Sequence, residues 1–271
     1  MTTRRKLALL ALWTNGRFKL FLRTPRTAFF TFLFPLILLA LLDSLNSGQT
    51  ITGANGSKVS FAAYYTPSIG IFGLVTACYT WTIFTIATAR DRGIIKRVMG
   101  TPLPTSIYVT SWGMAAIITG FVSTALLVVI GLLAFNVSIE PRLIPAAVVT
   151  VLLGATCLSA LGLAVSSFVR KVESAPMVAN LTSFPVIFLS GVFFPISEAP
   201  DWLQKVADVF PVAHLVDAFA SCFDPSTTGS GFTSDLWLLA AWTAVGLFVA
   251  ARRFRAEMTA AGGDAWRPAT A

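Results

Sequence analysis

Long apolar runs decide what this chain can fold into. Read for stretches near the roughly 20 residues that cross a hydrocarbon core as helix, the sequence offers six, at about 27–45, 67–89, 107–135, 143–169, 177–196 and 232–251. A backbone in lipid must satisfy its own polar groups, so runs of this length predict helices. The third and fourth exceed one span and must tilt or project beyond the bilayer. Of 271 residues, 55% are hydrophobic and 12% charged, with a mean hydropathy of +0.76, whereas a soluble domain carries about 25% charge. The expectation is a single all-α integral membrane domain over 1–271, with six transmembrane helices and no soluble domain of any size.

Basic residues set the predicted orientation, because Lys and Arg accumulate in cytoplasmic segments. With the N-terminus inside, seven precede the first span: Arg4, Arg5, Lys6, Arg17, Lys19, Arg23 and Arg26. Four more lie in the 90–106 loop, Arg170 and Lys171 follow the fourth span, and Arg252, Arg253, Arg255 and Arg267 follow the last. Only Lys58, Arg142 and Lys205 fall outside, where Asp43, Glu140, Glu198, Asp201, Asp208, Asp217, Asp224 and Asp235 also lie. The reading is N-in and C-in, with 252–271 as a cytoplasmic tail. The formal net charge of +8 and pI near 9.9 follow from that topology and require no nucleic acid partner.

The same residues exclude several chemistries. Cys78, Cys157 and Cys222 show no CxxC or metal spacing, so neither a disulfide framework nor a metal site is expected. No Asp, Glu, Lys, Arg or His lies deep in a predicted span, whereas ion-coupled carriers use ionisable groups at the midplane. His214, the sole histidine, sits near Asp217 in an outer segment and reads as a solvated interfacial pair; no catalytic residue is assigned.

The opening "TTRRKLALLALW" resembles a twin-arginine export signal, but its apolar stretch, Leu7 to Trp13, is short and no small-residue cleavage site comes after it. The expectation is instead an amphipathic helix over 4–24, within a cytoplasmic segment 1–26, lying on the inner surface. Phe18, Phe21 and Leu22 would sit in the lipid boundary and Arg17, Lys19 and Arg23 would face phosphates.

"ATARDRGIIKRVMGTPLP", residues 87–104, joins the second and third runs. As one helix over 88–99 it would bring Arg92 near Lys96 and carry an apolar flank of Ile94, Ile95 and Val98. Gly100 and Pro102 would stop it. A compact charged helix with exposed apolar residues suggests a partner surface.

"RDRGIIKRVMGTPLPTSIYVTSW" (90–112) and "FLSGVFFPISEAPDWLQKVADVFPVAHLVDAF" (188–219) resemble two signature segments of ABC type-2 exporter permeases, a family that includes daunorubicin-resistance-type and lipid-export permeases. With six spans, the likeness covers essentially the whole chain. Asp91 stands where the family more often has glutamate, keeping the charge on a shorter side chain. The resemblance implies that Arg90, Asp91, Arg92, Gly93, Lys96 and Arg97 belong to a cytoplasmic coupling helix seated in a separate ABC ATPase subunit, which would hold ATP and magnesium. This chain would hold no cofactor itself: no GxxxxGK[ST] occurs, and the nearest imitation, "GANGSKVS" at 53–60, falls on the outer side.

Pro176, Pro185 and Pro195 bracket and interrupt the fifth run, predicting a broken helix and then re-entrant structure. Beyond it, two short amphipathic helices around Trp202–Phe210 and Leu215–Phe219 would cap the outer side. In the resembling family spans two and five border the pathway, which selects Thr82 and Thr85, on one helical face with Cys78 and Ala89, together with Asn180, Thr182 and Ser183. Small-residue stripes, Gly113, Ala116, Gly120 and Ser123 in span three and Ala155, Ser159, Gly162 and Ser166 in span four, read as scaffold. Six spans are few for a pathway, so a second copy or a related permease is expected to complete it. The function expected is export of an amphipathic or hydrophobic substrate across a bacterial plasma membrane, as in antibiotic efflux. The alternatives are a non-transporting signalling or assembly component docked on an ATPase, or a secondary transporter.

Overall fold

The computed structural model describes residues 3–25, 29–46, 50–52, 58–101, 103–135, 137–169, 171–196, 199–223 and 232–264. Arg26, Pro102, Arg170, Glu198, Asp224, Arg267 and most of 53–60, on which expectations above rest, lie outside the described residues. Helix α1 (Thr3–Leu22) precedes a π-helical turn (Phe29–Leu33) that runs into α2 (Phe34–Leu45). Strands β1 (Thr50–Thr52) and β2 (Lys58–Ser60) then pair antiparallel, with Ile51 opposite Val59, a small ribbon the all-helical expectation omitted. Ser60 caps α3 (Phe61–Val75), its Oγ accepting from the Ala63 amide at 3.2 Å. A π-helical turn (Thr76–Thr80) links α3 to α4 (Trp81–Asp91). The remaining helices are α5 (Ile94–Met99), α6 (Thr105–Ala134), α7 (Ile144–Ser166), α8 (Ala175–Leu189), α9 (Asp201–Ala207), α10 (Pro211–Ala220) and α11 (Phe232–Asp264). Pro145, Pro176 and Pro211 occupy first turns, where a missing amide costs no helical hydrogen bond.

Among the described residues, five helical stretches are each long and apolar enough to cross a membrane: Phe61–Asp91, Ile107–Ala134, Pro141–Ser166, Val172–Leu189 and Ser234–Phe254. The expected first span is a shorter apolar helix, Phe29–Leu45, about 25 Å long at 1.5 Å per residue. The fifth span differs from expectation. Helix α8 passes through Pro185 unbroken and ends at Leu189; the chain then turns at Gly191, whose φ of 78° suits glycine alone. Tyr64 Oη donates to the Gly191 carbonyl at 2.6 Å and Tyr65 Oη to that of Phe193 at 2.7 Å, holding the turn against α3. Helices α9 and α10 meet at 95°. With its ten residues, α10 reaches about 15 Å, half a hydrocarbon core, and together with α9 it is long and apolar enough for a bent span or a re-entrant loop.

The scaffold is set by close approach. A Cβ at Gly120 of α6 would stand 2.6 Å from Cys78 Sγ, one at Gly162 of α7 would stand 2.9 Å from the Tyr79 carbonyl, and one at Gly246 of α11 would stand 3.0 Å from the Ala160 backbone of α7. Glycine lets these helix axes approach, and dispersion between them replaces the hydrophobic drive that lipid does not supply. Cys78, Cys157 and Cys222 are unpaired and buried within this packing.

Candidate functional site

The charged segment folds differently from the single helix expected over 88–99. The second span continues to Asp91, the chain reverses through Arg92 and Gly93, and α5 begins at Ile94. Gly93 has φ 64°, a left-handed conformation that a side chain would strain. The Gly100 amide donates to Lys96 O and the Thr101 Oγ1 to Val98 O, closing the far end. The apolar flank divides. Ile95 and Val98 are buried in a cluster with Ile86, Tyr108, Trp112, Leu163 and Phe254, while Ile94 stays 37% exposed. Asp91, Arg92, Lys96 and Arg97 are exposed on the opposite side. Arg90 is different: half-buried, it donates from Nη1 to the carbonyls of Ser166 and Val169, both at 2.7 Å. Five of the six residues assigned by resemblance thus sit together at one turn, and the sixth points back into the bundle.

Helix α1 packs one face on this region. Arg17, expected to face phosphates, is buried: its Nε donates to Ser111 Oγ at 2.8 Å, and its guanidinium carbon lies 3.6 Å from the Trp112 ring centre and 4.4 Å from that of Tyr108. Burial lowers its pKa to about 10, partly offset by a hydrogen bond with Tyr108. Phe21, expected in the lipid boundary, is also buried, edge-on to Phe32 and Trp81. Aromatic surface and a stacked cation outcompete the interface for this face. Lys19, Leu22 and Arg23 remain exposed.

The hydroxyl-bearing spans separate into layers. Thr82 is buried against Gly162, and Thr85 donates back to its own helix, to Trp81 O at 2.8 Å. The face they share lies in the packing between helices. Thr182 and Ser183 border a half-open apolar pocket of about 170 Å³ with Tyr79, Phe210 and Trp242, and Tyr79 Oη donates to Thr182 Oγ1 at 2.7 Å. Asn180 lies elsewhere: with Thr76, Thr80, Phe30, Phe84 and Pro176 it lines a groove of about 240 Å³ on the outside of the bundle. The chosen residues therefore do not form one surface. Thr76 and Thr80, hydroxyls of the second span that were not selected, border the outer groove, and Tyr79, within the π-helical turn at Thr76–Thr80, reaches Thr182.

At the α9–α10 corner, His214 is paired with Asp235 rather than with Asp217. Its Nδ1 lies 2.8 Å from Asp235 Oδ1 and its Nε2 lies 2.8 Å from the Asp208 carbonyl. Trp242 Nε1 donates to Val209 O at 3.2 Å, so α11 grips both sides of the bend. Among the described residues no group of His, Cys, Asp and Glu is placed to hold a metal.

A family model described as ABC-2 type transporter matches residues 9–223. The "Probable multidrug ABC transporter permease YbhR" of Escherichia coli (strain K12) is 24% identical over 215 residues, 75% of this chain and 58% of that protein. The "Inner membrane transport permease YadH" of the same organism is 20% identical over 160 residues, 59% of this chain and 62% of that protein. "ABC transporter G family member 20" of Dictyostelium discoideum is 25% identical over 171 residues, covering 62% of this chain and 23% of that protein. The chain thus spans about three-fifths of the length of the bacterial relatives it matches.

Proposed function

The chain belongs to the ABC-2 type transporter family, and from that premise we propose that it is the permease subunit of an ATP-driven exporter in a bacterial plasma membrane. A separate ABC ATPase, binding ATP and magnesium, would dock on α5 and on the Arg92–Gly93 turn. The observation that carries this reading is the division of that segment. Ile95 and Val98 fix it to the bundle while Asp91, Arg92, Lys96 and Arg97 face away from it. Charges held on a short anchored helix can receive a displacement and pass it on, which a mobile basic loop cannot.

The outer groove between the Phe29–Leu45 helix, the second span and α8 is the part of the surface that suits a cargo path. Its hydroxyl and amide groups, Thr76, Thr80 and Asn180, lie beside Phe30 and Phe84, and further along α8 the exposed Met177, Leu181, Phe184 and Phe188 extend an apolar strip. A second copy or a related permease facing this strip would enclose an uncharged passage, suited to an amphipathic or hydrophobic molecule rather than to an ion. The names of the bacterial relatives, a multidrug permease and a transport permease, agree with such a role.

The test is co-purification of an ATPase with the tagged, detergent-solubilised chain, comparing wild type with the combined Asp91→Ala, Arg92→Ala and Arg97→Ala variant. Capture by the wild type and loss in the variant, with the fold intact, is the expected result. Absence of any ATPase after crosslinking would remove the proposed energy source. ATP turnover indifferent to every cargo would point to a signalling or assembly component instead.

A further inference from the structure

Arg90 stands beside the exposed charges in sequence, yet its side chain is committed elsewhere. We propose that Arg90 is a positioning residue: it ties the end of the second span to the end of the fourth, so that both move together when the coupling segment is displaced. The inference rests on the reading of α5 as the ATPase dock.

The geometry is that of a shared helix terminus. The final carbonyls of a helix lack partners within it and carry the negative end of its dipole. Helix α7 ends at Ser166, and the chain continues through tight turns in which the amides of Ser167, Phe168 and Val169 reach back to Ala164, Val165 and Ser166. Arg90 Nη1 donates across this terminus to Ser166 O and Val169 O, both at 2.7 Å. These are charge-assisted bonds, roughly twice as strong as neutral ones. Packing works beside them, since Ala89 and Ile95 share a buried cluster with Leu163 and Ala164 of α7. Polar bonds at the end and apolar contact along the side together resist sliding and tilting.

The tie lies just before a break in the helix. Gly93 gives the chain a left-handed turn three residues after Arg90, so the second span and α5 are not one stiff rod. A push on α5 could be absorbed by rotation at that turn. Ile95 of α5, packed with Leu163 and Ala164 of α7, opposes that rotation, and with the end of α4 fixed to the end of α7 a displacement that reaches α4 is delivered to both spans together. The scaffold contact between Gly162 and Tyr79 carries the pairing deeper into the bundle.

The experiment uses the full chain in lipid nanodiscs, alone and with the ATPase that co-purifies with it. Spin labels are placed on Thr88→Cys, in the last turn of α4, and Lys171→Cys, just beyond α7, and their separation is measured without nucleotide and with ATP–vanadate. In the otherwise unaltered chain the separation should be single, narrow and independent of nucleotide. Arg90→Gln should still capture the ATPase, but its distance distribution should broaden and shift on trapping, and permease-dependent ATP turnover should fall roughly tenfold, within the usual range of coupling effects. Arg90→Lys, which keeps a charged donor at this helix terminus, should recover part of both. If Arg90→Gln does not run as a monodisperse species, Arg90→Leu, which leaves no unpaired amide, takes its place. A narrow, nucleotide-independent separation with unchanged turnover in the Gln or Leu variant overturns the tie. Failure of the unaltered chain to hold any ATPase would instead overturn the docking reading, while the width measured on the permease alone still decides for or against the tie.

Discussion

Arg17 carries a charge into a site whose partners are aromatic faces and one hydroxyl. Cation–π contacts contribute about 0.5–2 kcal/mol each and a hydrogen bond to a charged group about 1.5–3 kcal/mol. Arg17→Ala is therefore expected to destabilise the protein by about 2–3 kcal/mol and to free α1 from α6, measured as a lower thermal midpoint and faster proteolysis within Thr3–Leu22. Arg17→Lys should recover little, since a compact ammonium cannot stack as a plane on Trp112 and Tyr108. The sequence showed that basic residues cluster near the expected inner surface, and no more than that. Charge sign is a property of the residue, whereas the partners of Arg17 and Arg90 lie 94 and 76 positions away. For the exposed Arg92 and Arg97 the sequence reading and the structure place the side chains alike, because water makes no demand on a distant partner.

At the scale of elements, the α9–α10 corner is fastened to α11 by the bond between His214 Nδ1 and Asp235 Oδ1 at 2.8 Å and by the donation of Trp242 Nε1 to Val209 O at 3.2 Å. Asp235→Ala should free that corner and destabilise the protein by about 1–3 kcal/mol, the cost of leaving one partner of a partly buried polar pair unsatisfied, read as a lower thermal midpoint; an unchanged midpoint would assign the fastening elsewhere. The corner was legible as two short helices, but their bend was not, and the histidine's partner was misread because sequence distance favoured Asp217. The π-helical turn at Thr76–Thr80 was invisible for a related reason: a one-residue change of register leaves no mark on a hydropathy pattern.

Taken whole, the molecule was legible where one physical demand dominates. Apolar runs long enough to cross a bilayer had to become helices, and glycine and alanine at intervals of three and four had to lie where helices meet. The ribbon at Thr50–Thr52 and Lys58–Ser60 was not legible, since strands of three residues carry too little pattern. Orientation is the property most directly open to trial. With both termini inside, Thr101→Cys should react with a membrane-impermeant maleimide only once the inner surface is opened, and Lys205→Cys should react in intact cells; the reverse pattern would invert the topology. The burial of Cys78, Cys157 and Cys222 makes that trial possible without altering the protein first. A molecule that keeps every thiol within its helices offers no sulfur to water, so one introduced cysteine becomes its sole chemical address, and each loop can be asked in turn which side of the membrane it inhabits.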